Sequence, residues 1–254
     1  MEMMPVMRQL TFNRPKAEVD ARLASVDIVC ADLDECLFPF FVQIVVGVSM
    51  FAEALARPSL WKYLPHLSKS GVFIGIYKIK QILFKSSFSH EALMDKYAAF
   101  MRGVPVGFIK RHSVFIHLFF IPGILRYLKT FSDRGVPVVI LSLSIQPILD
   151  VIGKKVGFLA RCVGNEISTD KQGNTFTGYA QGRMGDGSAK LGKFKEIMRS
   201  YGAHYPLIIG HSRDEVALVE YFSSRGGVSL GLNPRAEVAS RFDMVLRSFF
   251  FRLD

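Results

Sequence analysis

Cysteine is scarce in this chain, with three residues among 254. Their odd number and their spacing fit neither a disulfide framework nor a zinc site, but they do fit a reducing compartment. Residues 1–16 contain no apolar run of signal-peptide length, so secretion is not expected. We therefore expect a cytoplasmic protein. The cysteines are Cys30, Cys36 and Cys162.

Acidic residues are also few relative to basic ones, 22 against 32, which gives a formal net charge of +10 and a pI near 9.6. Such a positive field attracts phosphorylated small molecules, anionic membrane surfaces and nucleic acid. The chain has no RNP, zinc-finger or recognition-helix signature, so no nucleic-acid partner is predicted. The sequence gives no indication of an oligomeric state.

No apolar run reaches the length of a membrane span. The strongest candidate, residues 37–54, is shorter than the roughly 20 residues that a spanning helix requires, and it contains Pro39. We interpret it as a buried helix with one face that contacts an apolar substrate or a bilayer surface. Peripheral membrane contact is therefore an expectation, and a membrane anchor is the weaker alternative.

What the chain does have is a pair of carboxylates at the end of an apolar run. Residues 27–32 predict a buried strand, and Asp32 and Asp34 lie at its carboxyl end. In an open parallel sheet, ligands bind beyond the carboxyl ends of the strands. Asp-x-Asp pairs are common in turns, so this pair by itself predicts only a polar turn.

The rest of the chain predicts an α/β protein with a helical insert. Residues 40–117 contain no alternating strand pattern, and their apolar residues recur at helical spacing. From Pro122 onward, strand and helix patterns alternate, which favours a parallel sheet flanked by helices. The predicted helices there are 123–133, 146–154, 190–201 and 215–223; the strands are 136–141, 206–210, 227–230 and 242–246; a hairpin covers 161–179.

Three further polar positions follow predicted strands or begin helices: Ser142, Lys190 and the turn 210–215. In this order, together with the two aspartates, they resemble the haloacid dehalogenase superfamily, specifically its phosphoserine-phosphatase-like branch. The resemblance covers residues 27–246. It implies a Rossmann-like core formed by 1–39 and 118–254, with an all-helical cap, 40–117, inserted after the first strand.

Phosphoryl transfer requires an oxygen nucleophile, an acid for the leaving group and positive charge near the phosphoryl oxygens. Asp32 suits the nucleophile, which would form an aspartyl-phosphate, and Asp34 suits the acid and later the base. Ser142 and the backbone N–H of Leu143 would hold a phosphoryl oxygen. Lys190 would supply the charge. Lys193 is an alternative lysine, but its neighbours form the apolar stripe of a helix, so Lys190 is preferred.

The last motif departs from the family pattern. The resemblance implies that Mg²⁺ binds Asp32, the backbone carbonyl of Asp34 and an acid in this motif, but His211 occupies that acid's position. Imidazole suits Mn²⁺ or another transition metal better than Mg²⁺. Either Asp214 or Glu215 replaces the missing ligand, or the metal differs, or activity is weak. The last case predicts a catalytically impaired protein that binds a phosphorylated ligand or partner.

The start of the predicted cap also departs from the pattern. Phosphoserine phosphatases of this branch carry a glutamate that recognises the substrate's ammonium group, and Phe41 stands at that position here. An apolar wall formed by Phe38 and Phe41 cannot compensate a buried ammonium, which would cost several kcal/mol or more. We therefore predict a phosphatase for a small phosphorylated substrate that is apolar or lipid-like. Core packing is the simpler explanation of the phenylalanines.

Overall fold

The computed structural model describes residues 10–72, 90–181 and 187–247. They form an eight-stranded sheet in the order β1-β8-β7-β6-β2-β3-β4-β5. The strands are β1 (Leu10–Phe12), β2 (Ile28–Ala31), β3 (Val138–Ile145), β4 (Arg161–Thr169), β5 (Phe176–Gln181), β6 (Pro206–Gly210), β7 (Val228–Leu232) and β8 (Met244–Leu246).

The sheet is parallel except at its two edges. β2 lies at its centre and pairs in parallel with β3 on one side and β6 on the other. At the edges, β1 pairs antiparallel with β8, and β5 pairs antiparallel with β4 as the predicted hairpin. β1 was not predicted, because a three-residue edge strand is too short to show an alternating pattern.

Helices flank the sheet and connect its strands. They are α1 (Lys16–Ala24), α2 (Val42–Ala56), α3 (64–72), α4 (His90–Phe100), α5 (Val106–Ser113), α6 (Pro122–Ser132), α7 (Gln146–Val156), α8 (Gly187–Tyr201), α9 (Val216–Ser223) and α10 (Ala236–Ala239). Short 3-10 turns cover Pro58–Tyr63, Ile116–Phe119 and Arg213–Glu215.

Alternate residues of the central strands pack into two separate cores. In β2, Val29 and Ala31 belong to one cluster of buried residues, and Ile28 and Cys30 belong to the other. Since successive strand residues point to opposite faces, the sheet is covered on both sides. This confirms the prediction of a Rossmann-like α/β core with a parallel central sheet.

Strand β3 is longer than predicted. The sequence suggested an end before Ser142, but the strand continues to Ile145. Ser142 and Ser144 are two residues apart, so they lie on the same face, and both hydroxyls donate to Asp34. Buried polar groups are normally hydrogen-bonded, and because these two hydroxyls have a partner in Asp34, the strand continues through both serines.

Among the described residues between β2 and α6, the regular elements are all helices or 3-10 turns. In α2, the buried residues Val42, Val46, Met50 and Ala54 are spaced four apart and join the cluster that contains Val29. Residues 73–89 of the predicted cap lie outside the described residues. The boundaries of a separate cap therefore stay a prediction.

Within the described ranges, no single helix is long and apolar enough to cross a membrane. One bent pair, Val106–Phe119 followed by Pro122–Ser132, has sufficient length and composition but is bent by 94°.

Candidate active site

Three adjacent parallel strands bring the predicted residues to one edge of the sheet. Asp32 directly follows β2, and its backbone N–H donates to the carbonyl of Ile209 in β6 at 2.9 Å. Ser142 lies in β3 on one side, and His211 follows β6 on the other. Residues that are far apart in sequence meet here because parallel strands end at the same edge.

Lys190 links the nucleophile candidate to the last motif. Its side chain is 2% exposed, and Nζ lies 3.0 Å from Asp32 Oδ1 and 2.6 Å from Glu215 Oε1. Lys193, by contrast, is on the surface and pairs with Glu196 at 3.1 Å. Of the two lysines, the structure thus brings Lys190 to Asp32.

Lys190 and Asp32 stabilise each other's charged forms. Burial opposes the charge on Lys190, but the carboxylates of Asp32 and Glu215 raise its pKa well above the ordinary value. Burial likewise opposes the charge on Asp32, yet Lys190 and His211 lower the pKa of its carboxyl group. Asp32 is therefore held as a carboxylate, the form that acts as a nucleophile.

Asp34 accepts hydrogen bonds from Val42, Ser142 and Ser144. Oδ1 accepts from the backbone N–H of Val42, the first residue of α2, at 2.7 Å. Oδ2 accepts from the hydroxyls of Ser142 at 3.3 Å and Ser144 at 2.7 Å. The predicted acid-base residue and the predicted phosphate-binding serine are thus in direct contact. Ser144 is a contact that the sequence reasoning missed, and its two-residue spacing from Ser142 was the available signal.

Leu143 faces away from these two serines along the strand. Its carbonyl accepts a hydrogen bond from the Asn165 side chain at 2.7 Å. This contact fixes the carboxyl end of β3 to β4. The role of the Leu143 N–H toward phosphate stays a prediction.

His211 lies between two carboxylates. Nδ1 is 3.5 Å from Asp32 Oδ2, and Nε2 is 3.2 Å from Glu35 Oε2. Burial would lower the pKa of His211, but the neighbouring Asp32 and Glu35 raise it to about 10. Nε2 lies at hydrogen-bonding distance from Glu35, whereas Nδ1 faces Asp32 without a hydrogen bond, and both carboxylates favour the protonated ring. Without a metal, His211 therefore carries positive charge beside the nucleophile candidate.

Glu35 and Arg235 are neighbours of His211 that the sequence reasoning missed. Glu35 has a left-handed backbone with φ of 55°, which turns the chain back toward the site directly after Asp34. Arg235 donates its backbone N–H to the His211 carbonyl at 3.1 Å, and its guanidinium lies 3.8 Å from Glu35. Glu35 was adjacent to the aspartate pair, but no pattern in the sequence pointed to Arg235.

Both carboxylate oxygens of Glu215 accept hydrogen bonds from other parts of the protein. Its Oε2 accepts from the backbone N–H groups of His211 and Ser212 at 3.2 and 2.9 Å, and from the Ser212 hydroxyl at 3.1 Å. Its Oε1 accepts from Lys190. A metal bound to Glu215 would compete with these donors. Asp214 is half-buried, and its backbone N–H donates a hydrogen bond to the Ser212 hydroxyl oxygen at 3.2 Å.

The donors at this edge suit a divalent metal ion. One ligand atom each from Asp32, His211 and Glu215 lies within 4.8 Å of the others. His211 Nδ1 is buried without a hydrogen-bond partner, and it faces Asp32 Oδ2. Three of the five predicted metal residues thus come together through side-chain atoms, and Asp214 is outside this described group. The predicted ligand from Asp34 is its backbone carbonyl, and that role stays a prediction. An imidazole donor fits Mn²⁺, Zn²⁺ or a related ion better than Mg²⁺.

The aromatic residues after Asp34 are arranged differently from the predicted wall. Phe38 is fully buried and makes edge-on ring contacts with Phe40, Phe119 and Phe120 at 6.2 to 6.4 Å. Phe40 and Phe119 are each about half exposed. Phe38 therefore contributes to the core, because the surrounding rings cover it, and the exposed aromatic surface here belongs to its neighbours. Phe41, half-buried, remains the candidate for a wall.

A family model for haloacid dehalogenase-like hydrolases matches residues 29–213, which include the aspartate pair, Ser142, Lys190 and His211. The chain belongs to this hydrolase family. The resemblance to the haloacid dehalogenase superfamily that was inferred from the sequence is thereby confirmed. No curated protein sequence matches the chain.

Solved structures share the fold at low sequence identity. A phosphoserine phosphatase with a phospho-aspartyl intermediate analogue is 15% identical, with a TM-score of 0.61, and the match covers 87% of this chain and 93% of that one. A hydrolase of the family from Salmonella enterica serovar Typhi is 12% identical, with a TM-score of 0.64 and coverage of 94% and 77%. Cytosolic 5'-nucleotidase IIIB bound to cytidine is 10% identical, with a TM-score of 0.67 and coverage of 96% and 90%.

Proposed function

We propose that this hydrolase is a phosphomonoester phosphatase that works through an aspartyl-phosphate on Asp32. The observation that carries the proposal is the buried Lys190 ammonium between Asp32 and Glu215, at 3.0 and 2.6 Å. It holds Asp32 ionised at the carboxyl end of the central strand and places positive charge where phosphoryl oxygens would lie.

In the first step, an Asp32 carboxylate oxygen attacks phosphorus, the bond from phosphorus to the ester oxygen breaks, and Asp34 gives a proton to the departing alkoxide. In the second step, Asp34 takes a proton from water, the water oxygen attacks phosphorus, and the bond from phosphorus to the Asp32 carboxylate oxygen breaks. Inorganic phosphate leaves, and both aspartates return to their starting states. The hydroxyl of Ser142 and the N–H of Leu143 would bind a phosphoryl oxygen.

Asp32 and His211 would hold a divalent ion, Mg²⁺ as the family implies or Mn²⁺ or another transition metal as His211 favours. When bound, the ion supplies positive charge that neutralises the phosphoryl group. The contacts of Glu215 described above argue for its role in positioning Lys190 and the His211 backbone.

The proposed substrate is a small phosphorylated molecule with an apolar or lipid-like group. Phe41 stands where a group that recognises an ammonium would be expected, and the exposed rings of Phe40 and Phe119 lie beside the residues that follow Asp34. The match to phosphoserine phosphatase does not transfer its substrate, because it is only 15% identical. A cytoplasmic location stays a prediction.

Hydrolysis of p-nitrophenyl phosphate with Mg²⁺, Mn²⁺ or Co²⁺ tests the chemistry. Asp32→Asn should lower turnover by at least roughly 10³-fold, and mass spectrometry of rapidly quenched enzyme should find a phosphoryl group on Asp32. Asp133→Asn is the matched control, since Asp133 lies on the surface and pairs with Lys129. A panel of sugar, amino-acid and lipid phosphates then tests the substrate, and a preference for phosphoserine would contradict the apolar assignment.

A second candidate function is a catalytically impaired protein that binds a phosphorylated ligand. The contact of His211 with both Asp32 and Glu35 favours it, because an imidazolium there would repel a metal ion. Binding of phosphate or a phosphate ester by calorimetry, with no turnover under any of the metals, would support this function over the first.

A further inference from the structure

The exposed apolar side chains are concentrated in one stretch of the chain. Among the described residues, eleven large apolar side chains are exposed; eight of them lie between residues 40 and 119, and the other three are tyrosines. Scattered exposed apolar residues are normal in a folded protein, but a concentration of them in one region marks an interaction surface.

Two groups account for most of this surface. The α2 strip consists of Val48, Leu55 and Trp61, and the aromatic corner consists of Phe40, Leu118 and Phe119. Their exposed fractions range from 51% to 72%. Trp61 lies beside Leu55, since its indole N–H donates to the Leu55 carbonyl at 3.4 Å.

Helix α2 is anchored on its other sides. One side is buried in the core through residues spaced four apart, such as Val46 and Met50. Another side is tied to α5, because the Ser49 hydroxyl and the Glu53 carboxylate contact the two ring nitrogens of His112 at 2.7 and 2.5 Å. The apolar residues Val48 and Leu55 are seven apart, so they share the remaining side. A helix that is apolar nearly all round is normally buried, yet this side is open.

The same part of the chain carries most of the net positive charge. Residues 40–117 contain ten lysines and arginines but three aspartates and glutamates, a net charge of +7 out of the +10 of the whole chain. Basic residues border the apolar surface: Arg57 and Arg111 both pair with Glu53 of α2, and Lys62 follows Trp61 in the chain. Exposed apolar and aromatic side chains beside basic ones are typical of segments that lie in a membrane interface.

We propose that the α2 strip and the aromatic corner dock onto an anionic lipid bilayer. The apolar side chains enter the boundary between headgroups and acyl chains, and the basic residues contact the anionic headgroups. Because the first turn of α2 contacts Asp34, this surface begins at the candidate active site. The proposal does not depend on the phosphatase activity, and its test does not use it.

Trp61 is the only tryptophan in the chain, so the unmodified protein reports on docking directly. Vesicles of phosphatidylcholine with phosphatidylglycerol should shift its fluorescence to the blue, and brominated lipids should quench it. Vesicles of phosphatidylcholine alone should have a much weaker effect, and high salt should reduce binding. An unchanged Trp61 emission with anionic vesicles at low salt would overturn the proposal.

Co-sedimentation of variants with the same vesicles separates the apolar contribution to membrane binding from the electrostatic one. Val48→Ser with Leu55→Ser should weaken binding roughly tenfold or more, and Lys62→Gln should weaken it about fivefold. The matched control is Tyr201→Ser with Tyr205→Ser, two exposed apolar residues far along the chain from this surface. Equal losses in the test and control pairs would overturn the proposal. So would self-association that the Val48 and Leu55 changes abolish, because the surface would then be an interface between copies.

Discussion

At the scale of single residues, the candidate site is a chain of alternating charges. Glu215, Lys190, Asp32, His211 and Glu35 follow one another, each within 3.5 Å of the next. Buried charges are tolerated only when they are paired. Each member of this chain therefore depends on its neighbours, and removing one leaves another uncompensated.

Replacement of Lys190 tests this dependence. Lys190→Met should lower the free energy of unfolding by about 3–5 kcal/mol, because Asp32 and Glu215 would remain buried without their cation. Denaturation by urea measures the loss. Lys193→Met is the control, and its exposed pair with Glu196 should contribute no more than about 1 kcal/mol. Similar losses in both variants would show that Lys190 is not a central buried cation.

Replacement of His211 tests which metal the site prefers. The wild-type protein should bind Mn²⁺ more tightly than Mg²⁺, because one donor is an imidazole. His211→Asp should reverse or remove that preference, with a gain in Mg²⁺ affinity of roughly tenfold, about 1.4 kcal/mol. Isothermal titration calorimetry measures both ions without any need for turnover. An unchanged preference would mean that His211 is not a ligand.

The sequence predicted the polar residues of the site better than their contacts. Asp32, Ser142, Lys190 and His211 were recognisable because each follows a predicted strand or begins a predicted helix. The contacts of Ser144 and Arg235 were not, because they depend on how far β3 continues and on how the segment after β7 folds back. Such contacts are set by tertiary packing, which local patterns do not encode.

At the scale of elements, the turn between β6 and α9 positions the last motif. Ser212 caps this turn, and Glu215 completes a capping box by accepting from the backbone of Ser212. Gly210 lets Glu215 approach, since a Cβ there would lie 2.3 Å from Glu215 Cγ. The turn therefore fixes Glu215 and His211 together, and its geometry depends on a glycine.

Gly210→Ala should disturb this turn. Overpacking of this kind costs about 1–3 kcal/mol, and the displaced Glu215 should also weaken the pairing with Lys190. Gly192→Ala is the control, because Gly192 lies in α8 with no atom within 4 Å of an added Cβ. That change should stabilise the protein by about 0.4–1 kcal/mol. Thermal unfolding distinguishes the two variants, and a neutral Gly210→Ala would contradict the close contact.

Element boundaries in the core were predicted to within a few residues, with β6 matching at Pro206–Gly210. The misses have physical reasons. Helix α1 was not predicted, because Val19 is its one buried residue among those described, so no apolar stripe marks it. The end of β3 was misplaced because two serines interrupt its apolar run, while their hydroxyls are satisfied by Asp34.

At the scale of the whole molecule, the alternation of strand and helix patterns predicted the sheet. It did not predict how the residues of the proposed cap pack against the core. The predicted boundary before residue 40 separates β2 from α2 in the chain. In the structure, residues of α2 and β2 belong to one cluster of buried side chains. Shared burial of this kind is invisible to a linear pattern, because both segments are equally apolar.

The stability of the metal-free protein should decline as the pH rises above neutrality. The pKa of His211 is raised from an ordinary value of 6.5 to about 10, so its contribution is complete below 6.5 and is lost as the pH rises toward 10. Asp32 has the opposite pH dependence, because its pKa is lowered from 3.8. The contribution of its carboxylate to stability is complete above that value and is lost as the pH falls below it.

Urea denaturation with a chelator present, at several values between pH 6.5 and 10, should show this decline. It should be absent in His211→Gln and retained in His204→Gln, which changes an exposed histidine. Added Mn²⁺ should reverse the trend, since the ion requires the deprotonated ring nitrogen and binds more tightly at higher pH. A decline of equal slope in His211→Gln would mean that another group governs the alkaline stability of the fold.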